Sequence, residues 1–243
     1  MVDTALGASS LRKRLADVRK KIDETARRCN RLSEEITIIA VSKTHPVEAV
    51  RQAFAAGVTN FGENRVQEAE IKIVEAGLDG IRWHLIGHLQ ANKARRAVKL
   101  FDVIHTLDSI SLAQRLDRLC ADESRVTLPV LIQVDLAGED TKTGVTESEL
   151  DELLAVVGRC TRLDLQGLMT LPPFFEDPER VRPYFRRLRE LRDQIAAGGH
   201  FRNLAGDLSM GMSHDFAVAI EEGATLVRIG TAIFGERIKE KLD

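Results

Sequence analysis

Apolar residues along this chain follow two alternating rhythms. Short, mostly apolar runs lie near 36–41, 58–61, 81–86, 102–107, 128–135, 163–169, 204–210 and 225–229. Between them, apolar positions recur with helical spacing over 46–56, 64–76, 91–99, 109–121, 146–158, 178–196 and 214–222. Runs rich in β-branched and small apolar residues predict strands buried on both faces, whereas the helical spacing predicts helices with one buried stripe. Gly57, Gly77, Gly158, Gly198 and Gly223 stand where helices should stop. Ser109 stands where one should start, and Thr146 with Glu149 makes a capping-box pattern. Ahead of the first run, Leu11, Leu15, Val18, Ile22 and Leu32 predict an amphipathic helix over 8–31 with a basic outer face. That face could touch an anionic partner, although a solvated surface is the commoner use.

Strands that alternate with helices imply a parallel sheet. Eight such units in about 210 residues favour closure into a single (β/α)8 TIM barrel, with the leading helix as an addition and residues 1–243 as one domain. An open doubly wound sheet is the alternative. No Gly-x-Gly-x-x-Gly follows the first strand, which weakens a dinucleotide-binding version of it.

Composition narrows the function classes. A net charge of −2 argues against bulk nucleic-acid binding, and one Trp with one Tyr provides no stacking platform for single strands. Cys29, Cys120 and Cys160 form no Cys-x-x-Cys or Cys/His cluster, so neither a disulfide frame nor a zinc site is expected. Such cysteines suit a reducing cytosol. No apolar run reaches membrane length, and the first ten residues lack a signal-peptide pattern. The expectation is a soluble, cytoplasmic, metal-free protein.

A barrel of this kind carries its chemistry on the loops that follow its strands. The first predicted strand, Ile36-Thr-Ile-Ile-Ala-Val-Ser-Lys43-Thr-His-Pro46, ends in a lone lysine before a helix start at Pro46. A lysine at the end of a buried strand is costly to desolvate. Lys43 either pairs with a carboxylate or reaches solvent, or it is an amine with a burial-depressed pKa, neutral enough to form a Schiff base. Arg228 interrupts the last apolar run and needs an acceptor, by default a carboxylate and as a functional option a heterocyclic nitrogen. Ser213 and the Gly230-Thr231 turn follow the last two strands, where barrels frequently hold phosphate; the alternative is that Gly211, Gly230 and Gly235 merely relieve crowded turns. Glu236-Arg237 stands where a nucleotide P-loop needs Lys-Ser/Thr, which disfavours a nucleoside triphosphate. Ser213-His214-Asp215 cannot be a hydrolase triad, because triad members converge from separate segments. His84 and His88 lack the helix and intervening Glu of a zincin, and one of them fits a core position better. Glu63 and Glu68 could form an acid/base pair or simply complement a helix dipole.

Six blocks together carry a resemblance: Ala40-Val-Ser-Lys-Thr, Phe61-Gly-Glu-Asn, Trp83-His-Leu-Ile-Gly-His-Leu-Gln, Gly167-Leu-Met-Thr, Leu208-Ser-Met-Gly-Met-Ser-x-Asp and Val227-Arg-Ile-Gly-Thr-x-Ile-Phe-Gly-Glu-Arg. In this order, over about residues 10 to 238, the chain resembles the pyridoxal phosphate homeostasis proteins, relatives of the alanine racemase N-terminal barrel. The resemblance implies a (β/α)8 barrel that holds pyridoxal 5′-phosphate (PLP), with Lys43 as the Schiff-base lysine. It implies Arg228 facing the pyridine nitrogen, Ser213 with the backbone of Gly230 and Thr231 on the phosphate, Asn64 lining the ring pocket and Met169 near the ring face. His45 stands where many relatives have lysine, and Asp135 where asparagine is common.

An arginine with a pKa above about 12 leaves the ring nitrogen unprotonated and a weak electron sink, which disfavours aminotransfer. Racemisation needs two bases on opposite faces of the Cα. Lys43 supplies one. In alanine racemases the other is a tyrosine from a second, β-rich domain, and this sequence ends eight residues past Gly235. Tyr184, the only tyrosine, is poorly placed for the part. The expectation is therefore a monomeric protein that binds, buffers and hands on PLP, with apo PLP-dependent enzymes as candidate recipients and Lys142 as a candidate transient acceptor. An amino-acid racemase is the alternative.

Overall fold

Eight parallel strands close on themselves in chain order, with β1 hydrogen-bonded to both β2 and β8. They are β1 (Thr37–Val41), β2 (Asn60–Glu63), β3 (Arg82–Leu85), β4 (Val103–Leu107), β5 (Leu128–Gln133), β6 (Leu163–Met169), β7 (Asp207–Met212) and β8 (Leu226–Ile229). The helices are α1 (Val2–Arg28), α2 (Val47–Ala55), α3 (Val66–Ala76), α4 (Ala94–Leu100), α5 (Ile110–Asp122), α6 (Glu147–Val157), α7 (Arg182–Ala197), α8 (Phe216–Glu221) and α9 (Thr231–Phe234). The structure is a computed structural model that describes residues 2–138, 143–202 and 205–236, with the backbone alone for 2–8. Lys142 lies outside the described residues. The closed parallel barrel is the architecture that the alternating pattern predicts.

Strand boundaries depart from the hydrophobic pattern where polar side chains find partners indoors. β2 runs over Asn60–Glu63 rather than 58–61, because Glu63 Oε1 accepts from Lys72 and from Ser42 Oγ inside the fold and the carboxylate need not end the strand. β7 runs over Asp207–Met212 rather than 204–210, with Ser209 buried inside it as in the predicted run. At the helix ends, Gly77 closes α3 in the left-handed conformation (φ 57°). Gly158 and Gly198 close α6 and α7 in right-handed geometry. Gly57 and Gly223 sit one residue beyond their caps. Ser109 caps α5 by accepting from the Leu112 N–H (3.3 Å), and the Glu149 carboxylate accepts from the Thr146 N–H (2.9 Å) at the start of α6.

Two apolar layers result. The larger lies between strands and helices and holds Phe61, Trp83, Leu116, Phe185 and Leu208. The smaller, Val103, Leu131 and Met169, comes from β4, β5 and β6, with Leu171 and Leu226 packed against it. It plugs part of the barrel interior, as expected of a filled barrel.

The α1 helix buries Leu11, Leu15, Val18 and Ile22, as its spacing predicts, but ends at Arg28 and leaves Leu32 exposed. Its basic face is not simply solvated. Arg14 donates to the carbonyls of Ile233 (2.7 Å) and Phe234 (3.2 Å), and Arg19 to those of Ala56 (3.3 Å) and Gly57 (3.0 Å). These are carbonyls at helix C-termini that lack intrahelical partners. The helix thereby straps the start of the barrel to its end.

Candidate functional site

Strand order alone brings the predicted site residues to one rim. β1, β2, β6, β7 and β8 are parallel, so Lys43, Asn64, Met169, Ser213, Gly230 and Thr231 all lie at or just past strand C-terminal ends. Arg228 lies one step lower, inside β8.

The loops after β7 and β8 are joined through a hydroxyl. Ser213 Oγ accepts from the Gly230 N–H (3.2 Å) and from the Ala232 N–H (3.2 Å). The turn that carries Ser213 is fixed by Asp215, whose Oδ1 accepts from the Met212 N–H (2.6 Å). Gly211 is required just below it: at φ 89° a Cβ would stand 2.5 Å from the Ala219 methyl. Thr231 is exposed at the start of α9. Converging N–H groups beside a hydroxyl form an arrangement suited to an anion.

Arg228 is 3% exposed, and its acceptors are neutral. Nη1 donates to Ser209 Oγ (2.7 Å) and Nη2 to the Thr170 carbonyl (2.9 Å). Among the described residues no carboxylate pairs with it, so the default expectation of a carboxylate acceptor does not hold. Burial brings its pKa down to about 10, still well above neutrality. A guanidinium has five N–H donors, so two bonds leave others for a ligand acceptor.

Below Arg228 a polar chain crosses the barrel interior. Ser209 Oγ lies 2.9 Å from His105 Nδ1, His105 Nε2 lies 2.9 Å from His84 Nδ1, and His84 Nε2 lies 3.0 Å from Asn60 Oδ1. The Asn60 amide oxygen can only accept, so His84 Nε2 donates to it; each neutral imidazole has a single N–H, so His105 Nε2 donates to His84 Nδ1 and the Ser209 hydroxyl donates to His105 Nδ1. Burial holds His84 neutral, with a pKa of about 3, and pushes His105 well below its usual value. His84 is thus the core histidine of the His84/His88 pair, while His88 is an exposed partner of Asp108 (3.0 Å).

Lys43 is half-buried and sits in a turn, not in the strand. The β1 ladder stops at Val41, and Thr44 takes a left-handed φ of 65°, which turns the chain out of the sheet. A Cβ on Gly230 would lie 3.6 Å from Val41 Cβ, so the end of β1, two residues before Lys43, packs against the β8 turn. Asn64 follows β2 and is half-buried. Gly87 passes so close that a Cβ there would stand 2.3 Å from the Asn64 carbonyl, and both line a cavity of about 730 Å³ with Arg65, His88 and Lys93. Met169 is fully buried in the interior apolar cluster beneath the rim.

Several residues take roles that the pattern did not suggest. Ser209, Thr170 and His105 support Arg228, and the one signal for them was polar residues inside otherwise apolar runs. Glu63 and Glu68 are no acid/base pair: both bind the Lys72 ammonium (2.8 and 2.7 Å). Burial pushes the Glu63 carboxyl up, against the pull of Lys72. Tyr184 stacks on Phe175 (6.1 Å) within α7. His45 stacks on Phe234 (5.0 Å), and Asp135 Oδ1 accepts from the N–H groups of Ala137 (3.0 Å) and Gly138 (3.2 Å), so both departures from the family pattern serve local packing.

Comparisons with known proteins place the chain in a family. The family model of the alanine racemase N-terminal domain matches residues 15–238. The pyridoxal phosphate homeostasis protein of Aquifex aeolicus is 44% identical over 225 residues, covering 92% of this chain and 97% of that protein. The Escherichia coli K12 protein of the same name is 44% identical over 232 residues, covering 92% and 95%. PipY of Synechococcus elongatus, solved with PLP bound, superposes with a TM-score of 0.82 at 37% identity, covering 93% of this chain and all of its own. An alanine racemase of Clostridium difficile shares the fold at 18% identity with a TM-score of 0.71, and this chain covers 57% of it. The chain belongs to the alanine racemase N-terminal domain family.

Proposed function

We propose that this chain is a PLP-binding protein of vitamin B6 homeostasis, a carrier and not a racemase. One observation carries the reading: a buried arginine that forms no ion pair with a carboxylate among the described residues lies on the same rim as a hydroxyl-and-amide cradle and a half-buried lysine. Those features fit the cofactor group by group. Arg228 offers donors to a neutral ring nitrogen. Ser213, Gly230 and Thr231 offer a phosphate site, Asn64 and Met169 are assigned to the ring by resemblance alone, and Lys43 is the covalent anchor as a Schiff base. The bound cofactor would supply a carbonyl carbon for reversible amine attachment.

Racemase chemistry finds little support in the residues. Lys43 provides one base, and the hydroxyl of Tyr184 belongs to a residue held on α7 against Phe175. No helix among the described residues is long and apolar enough to cross a membrane. The reading extends to a monomer in the cytoplasm, with apo PLP-dependent enzymes as recipients. The test is a pair of assays on purified protein: PLP titration followed by absorbance, and racemisation of the common amino acids against a boiled control. Saturable binding without turnover supports the carrier. Turnover of alanine at enzymatic rates sinks it.

A further inference from the structure

Behind the Lys43 turn lies a group of buried charges with no place in the cofactor reading above. Lys72 of α3 has a side chain only 7% exposed, and its ammonium spends three donors on three acceptors. These are the Ser42 carbonyl (2.6 Å), Glu63 Oε1 (2.8 Å) and Glu68 Oε1 (2.7 Å). Glu63 Oε1 also accepts from Ser42 Oγ (2.6 Å), and Glu68 Oε1 also accepts from the Thr44 N–H (2.5 Å). The Ser42 N–H donates to the Gly62 carbonyl (3.1 Å). Every one of these bonds lands on a residue flanking Lys43 or on its holder in β2 or α3.

We propose that Lys72 and Glu68 are positioning residues for Lys43: they clamp the peptide groups on either side of it and hold its turn in a conformation that a threonine would otherwise avoid. The carbonyl before Lys43 is tied to Lys72, and the N–H after it is in Thr44, tied to Glu68. Thr44 carries φ 65°, a region disfavoured for a β-branched residue, and such a residue persists where its surroundings over-determine it. A buried Lys–Glu pair is a poor source of stability compared with apolar packing. Glu63 Oε2 is even buried without a partner. Placing the turn explains why the charges are kept there.

The proposal rests on Lys43 as the anchor, and the experiment separates the two. Glu68 is partly exposed (27% of its side chain), so Glu68→Ala should leave the barrel folded, and Glu68→Gln retains an acceptor for the Thr44 N–H. The first readout needs no cofactor: amide hydrogen exchange at Thr44, with the thermal midpoint as a folding control. The second is the rate at which borohydride-trapped PLP accumulates on Lys43. Glu68→Ala should speed Thr44 exchange and slow trapping, each by about tenfold, the loss of one hydrogen bond, while Glu68→Gln stays near wild type in both. Lys72→Met should lose both properties further. Unchanged exchange in Glu68→Ala, or faster exchange with unchanged trapping, overturns the proposal. If wild-type protein traps nothing on Lys43, the anchor reading falls, and the exchange contrast still decides whether the clamp exists.

Discussion

The two banks of the barrel mouth are built from opposite materials. On the β7–β8 bank, Ser213, Gly230 and Ala232 meet through neutral hydrogen bonds, and among the described residues the Arg228 guanidinium donates to a hydroxyl and a carbonyl, with the Asp215 carboxylate acting on its charge only from a distance. On the β1–β2 bank, Lys72, Glu63 and Glu68 place full charges behind the turn that carries Lys43. The first bank leaves donors for a ligand to accept from. The second spends its donors internally, on holding one backbone segment. A binding surface needs unsatisfied capacity, whereas a positioning device needs none.

The contrast yields tests of decreasing size. Lys72→Met strands Glu63 in the interior, and breaking a buried pair by removing one partner should cost about 3–5 kcal/mol in urea unfolding. A cost below about 1 kcal/mol would mean that the second bank is wetter than its geometry indicates. Next in size is acid sensitivity under the first bank. His84 and His105 stay neutral when folded but take up protons when unfolded, so the unfolded chain binds more protons below about pH 6.5. Their stabilisation is complete above that pH and is lost as pH falls, for His84 by up to about 1.4 kcal/mol per pH unit until the pH nears 3. His105→Asn should lower stability at neutral pH yet make this acid slope shallower, measured as unfolding midpoints between pH 7 and pH 4. An unchanged slope would place the titration elsewhere. The smallest effect is local to the cradle. Ser213→Ala removes one acceptor that gathers two N–H groups, and should weaken PLP binding about tenfold. Pyridoxal, which lacks the phosphate, should lose less in the same titration. Equal losses would show that Ser213 shapes the mouth and does not serve the phosphate.

Much of the β7–β8 bank was legible because its parts are consecutive: Ser213, Arg228 and Gly230 each end or interrupt an apolar run, and parallel topology alone brings them together. The β1–β2 bank was hidden. Lys72 reads as a polar residue on an amphipathic helix, and nothing local distinguishes it from solvent-facing lysines. Its partners lie at Ser42, Glu63 and Glu68, and only the packing of α3 against β1 and β2 makes them one group. Asn60 and Ser209 fall inside predicted strands, but hydrophobic periodicity says nothing of their buried partners, His84 for one and His105 with Arg228 for the other. Lys43 was expected at the end of a buried strand and is half-buried in a turn instead, because the Thr44 backbone leaves the sheet one step early.

The central claim is that Lys43 is the covalent anchor. Loading the wild-type and Lys43→Ala proteins with PLP, reducing with borohydride and mapping the modified peptide by mass spectrometry addresses it directly. The account predicts one adduct on Lys43 in the wild type and its disappearance in Lys43→Ala, with the barrel still folded by circular dichroism. An adduct of full yield on a different lysine in the variant would contradict it.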